Sequence, residues 1–141
     1  MTKKQNTVYF STRDELIRVC LDDVMYVVND GNYIILKYNN GRALTLLASL
    51  QNFIQITEAF SDLHFERLGR SYIINTSYIS HINNLRRTVT LADDKMKENV
   101  ELIAPKESIR ALRQSLLDTS QTPISGFQTA NGNMEAFQVI K

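Results

Sequence analysis

Residues 65–75 read Phe65-Glu66-Arg67-Leu68-Gly69-Arg70-Ser71-Tyr72-Ile73-Ile74-Asn75. Gly69 before it and Ser71 after it place Arg70 on an exposed turn rather than inside a strand, and a short strand follows around Ser71–Ile74. A guanidinium projecting from such a turn can grip a phosphate or the edge of a guanine, and the Ser71 hydroxyl suits a phosphate or base-edge contact. The competing reading of Arg70 is a surface ion pair with a residue such as Glu66. Arg67 reads as a side chain that packs and pairs within the fold, and Asn75 as one that satisfies backbone groups at a strand end.

Upstream, the chain reads as short strands. Thr7–Ser11 and Leu16–Leu21 are β-prone runs separated by a polar stretch, with Ile17, Val19 and Leu21 facing a core and Arg18 facing out. Val24–Val28 is apolar on both faces, the mark of a central strand. Asn29-Asp30-Gly31-Asn32 is a turn signal, Tyr33–Tyr38 the next strand, and Asn39-Asn40-Gly41 a second turn into Arg42–Leu47, giving consecutive hairpins. Leu50, Phe53, Ile54, Ile56, Thr57 and Phe60 recur at near-helical spacing after Ala48-Ser49, but the β-branched residues among them leave that helix dependent on packing.

Downstream, strands are expected at Tyr78–Ile82, Thr88–Leu91 and Val100–Ile103. Arg86-Arg87 falls on a hairpin tip, to be read either as phosphate contacts or as a solvated turn. Pro105 suits the first turn of a last helix whose apolar face is Ile109, Leu112, Leu116 and Leu117. His81 and Cys20 read as ordinary strand residues, His64 as a cap for the helix region, and Tyr33 as either core or contact. From Asp118 onward polar and turn-forming residues dominate, so 118–141 is expected to be a flexible tail, the competing reading being that Phe127, Phe137, Val139 and Ile140 dock on the domain or on a protein partner.

The 141 residues suffice for one domain plus that tail, and 43% apolar with 22% charged residues is ordinary for a globular chain. The net charge of +1 conceals an asymmetry: residues 13–63 carry four basic and seven acidic groups, and residues 64–113 nine basic and six acidic. No apolar run reaches the roughly 18 to 20 residues of a membrane span, and Met1–Asn6 lacks the apolar core of a secretory signal. One cysteine cannot form an intramolecular disulfide, and no Cys/His spacing fits zinc. Neither a Ser/His/Asp set, nor a carboxylate pair in a known motif, nor a phosphate-cradling glycine loop is present. The expectation is a cytoplasmic protein without cofactor or metal, and not an enzyme.

Periodicity alone does not choose among β-rich modules. Residues 65–75, however, resemble the F-x-R-x-x-R-S-x-x-x-N signature of the LytTR family of bacterial DNA-binding domains. Further matches run in register over about residues 8–117. Asp23–Val27 is similar to a D-I-x-Y-I strand followed by Asn32-Tyr33, and Ser49-Leu50 to the helix start. Tyr78–Ile82 is similar to the I-x-x-I strand, and Leu102–Lys106 to the I-P-V-S-R segment before the last helix. Gly69 stands where the family usually has His, and Pro105-Lys106 replaces Ser-Arg. Lys106 therefore offers a cation for phosphate without the planar fork that reads guanine.

The resemblance implies a mainly β fold with two helices, a β-rich α+β sandwich of short antiparallel sheets, whose inter-strand loops enter the grooves of duplex DNA. Residues 1–6 would be an N-terminal extension, 7–117 the domain and 118–141 the tail. The DNA-binding residues implied are Asn32 and Tyr33 in the 29–33 turn, Arg70, Ser71, and Lys106. With only about seven residues before the first strand, no receiver domain is expected. The family's habit of binding paired direct repeats implies a second copy on the same operator. The alternative is a β-rich protein–protein interaction module that keeps the fold without strong DNA affinity.

Overall fold

A computed structural model describes residues 6–119. Among these described residues ten strands form three antiparallel sheets, joined by two helices and two short 3-10 turns. Strands β1 (Thr7–Ser11) and β2 (Leu16–Cys20) make a two-stranded ribbon. Strands β3 (Val24–Asp30), β4 (Tyr33–Tyr38) and β5 (Ala43–Leu47) are consecutive hairpins. They join β6 (Phe65–Leu68) and β7 (Tyr72–Asn75) in a sheet of order β5-β4-β3-β7-β6. Strands β8 (Ile79–Asn83), β9 (Thr88–Leu91) and β10 (Val100–Ile103) form the third sheet.

The central strand β3 explains the two-sided apolarity of residues 24–28, because the five-stranded sheet separates two cores. On one face Val27 and Ile73, opposite each other, join Leu36, Leu46 and Phe53. On the other, Met25 and Ile74 join Leu68, Leu91, Leu102, Ile109 and Leu112. Alternation along paired strands sends neighbours to opposite sides, so one sheet serves both cores.

Helix α1 (Leu50–Thr57) packs on the first core. Ser49 is its N-cap: its hydroxyl accepts from Asn52 N–H at 3.0 Å, and Asn52 Oδ1 accepts from Ser49 N–H at 3.3 Å. Phe53 meets Phe65 edge to face at 5.5 Å, supplying the packing that its β-branched sequence requires. The helix ends before Phe60. His64 caps no helix; its carbonyl instead accepts from the Thr76 N–H (2.9 Å) and hydroxyl (3.0 Å). Helix α2 (Lys106–Thr119) turns Ile109 and Leu112 onto the second core. Pro105 stands one residue ahead of it, offering its carbonyl to Ile109 N–H, rather than within the first turn.

Other differences from the sequence reading are local. Leu21 opens a 3-10 turn (Leu21–Asp23) instead of ending β2, and Asn29 and Asp30 are strand, leaving Gly31-Asn32 alone as the hairpin connection. Strand β6 has no counterpart among the expected strands; two of its four residues are charged, and pairing with β7 is what makes it a strand. Asn6, counted with the N-terminal extension, is buried and holds Asp22 through both its backbone N–H (2.8 Å) and its Nδ2 (3.0 Å). At the other end Asp118 and Thr119 continue α2, whereas the expected tail from residue 120 on, with its four apolar docking points, lies outside the described residues.

Candidate nucleic-acid interface

Gly31, with φ of +64°, occupies the first position of the two-residue connection between Asp30 and Tyr33, a backbone conformation that glycine adopts without steric cost. Asn32 is therefore carried on a tight two-residue tip and is exposed. Tyr33 starts β4 opposite Leu47 and is 47% exposed, so it is a surface residue and not part of either core.

The Arg70 turn lies against this hairpin. Val28 of β3 pairs with Tyr72 of β7, and one step beyond, Asn29 N–H donates to the Ser71 carbonyl at 2.9 Å. That bond joins residues 42 positions apart at the point where both loops leave the sheet. Gly69 turns the chain with φ of +67°, and its carbonyl accepts a long 3.4 Å bond from Nε of the exposed Arg67. Arg70 and Ser71 are exposed, and among the described residues no ion pair holds the Arg70 guanidinium, from Glu66 or elsewhere.

The start of α2 completes the edge. A cleft of about 330 Å³ lies between the Gly69–Tyr72 turn and the Ile103–Pro105 segment, with Ser108 in its wall. Lys106, the first residue of α2, is exposed and shares a smaller hollow of about 100 Å³ with Asn84, Ile109 and Arg110. The structure thus sets the hairpin of Asn32 and Tyr33 beside the turn of Arg70 and Ser71, and packs that turn against the Ile103–Pro105 segment that leads into Lys106. None of their side chains is engaged in a hydrogen bond among the described residues. Asn75, by contrast, is buried and structural: its Nδ2 donates to the Val24 carbonyl at 3.0 Å and its Oδ1 accepts from Ser77 N–H at 3.2 Å.

Two features of this edge had no part in the site read from the sequence. Ser108 sits directly against Gly69, and nothing local to either residue signals it. Arg110 and Asn84 flank Lys106; the four-residue spacing of Lys106 and Arg110 was available as a signal for the first of these. Among the described residues no group of three or more His, Cys, Asp or Glu could hold a metal ion, and no helix is long and apolar enough to cross a membrane.

The three-sheet β scaffold carries exposed cations on its connecting loops and at the start of α2. The model of the LytTR DNA-binding domain matches residues 14–117, about three-quarters of the chain, and the chain belongs to that family. Among solved structures it is similar to the LytTr DNA-binding domain of a protein from Bacillus cereus described as a methyl-accepting/DNA response regulator. The identity is 26% and the TM-score 0.56, covering 81% of this chain and 98% of that one. No curated protein matches the chain.

Proposed function

We propose that the chain is a bacterial, cytoplasmic transcriptional regulator that binds duplex DNA through the edge formed by the 29–33 hairpin, the Arg70 turn and the start of α2. Residues 7–117 act as the binding unit, without catalytic activity, and 1–6 and 118–141 are appendages. The observation that carries this reading is that Asn32, Arg70, Ser71 and Lys106 of a LytTR domain are all exposed and unengaged among the described residues, the first three on turns joined by the Asn29–Ser71 bond. Arg70 and Asn32 serve as base-edge readers and Ser71 and Lys106 as phosphate contacts, with Tyr33 packing beside the hairpin tip. Two copies on paired direct repeats supply the affinity that a net charge of +1 does not.

Selection of binding sequences from a random pool of duplex DNA tests the reading. Enrichment of a repeated half-site, bound with an affinity that falls steeply between about 50 and 200 mM salt, is the expected result. No enrichment, or salt-insensitive binding, overturns it in favour of a protein–protein interaction module.

A further inference from the structure

Beyond the loop edge, α2 carries a second concentration of positive charge. At about 100° per residue, Lys106, Arg110 and Arg113 lie within roughly 60° of one another on the helix surface, beside the buried line of Ile109 and Leu112. All three are exposed, and Glu107 is the one acidic residue in the segment that holds them. Like charges four residues apart repel, and among the described residues no carboxylate relieves them.

The β8–β9 connection adds to this stripe. Arg86 and Arg87 close the turn after Asn84 and Leu85, and Leu85 is 92% exposed. Arg87 takes φ of +58°, a conformation that costs any residue with a Cβ, and its carbonyl accepts from Ala104 N–H at 3.1 Å. That bond ties the tip to the segment leading into Lys106, and Asn84 shares a hollow with Lys106 and Arg110. Five cations are thereby fixed on adjoining rigid elements, with their heads in solvent and unpaired among the described residues.

We propose that Lys106, Arg110 and Arg113, with Arg86 and Arg87, form a clamp for the sugar-phosphate backbone that extends the interface past the base-reading loops onto flanking duplex. The inference rests on the DNA-binding reading and adds a sequence-independent surface to it. The stripe from Lys106 to Arg113 runs about 10 Å along α2, the axial length of about three phosphates on one strand. Lysine at position 106 fits this use, since a point charge serves phosphate as well as a fork does.

The test is fluorescence anisotropy of the full chain with two duplexes of equal length, one selected and one of scrambled sequence, across a salt series. Arg86→Gln, Arg110→Gln and Arg113→Gln are compared singly and combined. Each is expected to lower the slope of log affinity against log salt by about one, and the triple variant by about three, equally for both duplexes. The ratio of selected to scrambled affinity should stay unchanged, as should the melting curve. An unchanged slope in the triple variant, with the parent still binding in a salt-dependent way, would overturn the clamp and leave the loop reading standing. A fall in the affinity ratio would overturn it as well, since base readers would then have been removed. If the parent binds neither duplex, the clamp and the DNA-binding reading fall together.

Discussion

A Cβ placed on Gly69 would stand 2.8 Å from the Oγ of Ser108. The Arg70 turn and the first turn of α2 are therefore packed as closely as a glycine allows, and φ of +67° favours the same residue on conformational grounds. Gly69→Ala should destabilise the domain by about 1–2 kcal/mol from backbone conformation alone. The contact with Ser108 adds to that cost. In a Ser108→Ala background the contact contribution should vanish and the backbone part remain, which a double-mutant cycle in urea measures directly. Equal costs in both backgrounds would show that the contact is inconsequential.

Arg70 offers the opposite case, a side chain with no structural partner among the described residues. Arg70→Ala should leave the urea midpoint unchanged and weaken binding to the selected duplex by about 1–3 kcal/mol. Binding to scrambled DNA should weaken much less. A variant that binds its best sequence as well as the parent would remove Arg70 from the interface.

Asn75, 2% exposed, is the buried polar residue of the 65–75 stretch. Asn75→Ala leaves the Val24 carbonyl and Ser77 N–H without their partner, at a cost of about 1–3 kcal/mol. Asn75→Asp should cost at least as much, because a carboxylate cannot donate to Val24. The check is a lower urea midpoint at unchanged slope.

Alkaline pH should loosen the fold. Burial pushes the phenols of Tyr26, Tyr38 and Tyr78 above their ordinary value of 10.0 and the Cys20 thiol above 9.0. Each group holds its proton more tightly folded than unfolded. Its contribution is thus complete below the unfolded pKa and lost as pH rises through the folded one. Urea midpoints should be level up to about pH 9 and decline above it. Tyr78→Phe should make the decline shallower. It should also lower stability at neutral pH by about 1–2 kcal/mol, since the Tyr78 hydroxyl donates to the Asp22 carbonyl at 2.7 Å and accepts from Asn39 Nδ2 at 3.0 Å.

What the chain discloses in one dimension follows from the range of the forces involved. The apolar run Val24–Val28 announces a central strand, and Gly31 and Gly41 announce the hairpins, because period and turn chemistry are local. Ser49 likewise announces α1, though its partner Asn52 is not the usual Glu or Gln. Strand β6 is invisible because Phe-Glu-Arg-Leu is too short and too charged to show a period, and exists through β7. The five residues proposed for the interface were legible through their place in a family pattern. The adjacency of the segments that carry them was not, since it depends on the Asn29–Ser71 bond and on Ser108 meeting Gly69, contacts between residues some forty positions apart.

The order β5-β4-β3-β7-β6 has a temporal consequence. During synthesis the 29–33 hairpin can form early, but its neighbour β7 emerges more than thirty residues after β4 closes, and Lys106 thirty later still. A ribosome-bound or truncated chain ending before β7 would display the 29–33 hairpin alone, and one ending before α2 would still lack Lys106. On the proposed reading, competence for DNA is therefore complete only late in synthesis, and incomplete copies would compete poorly for the duplex.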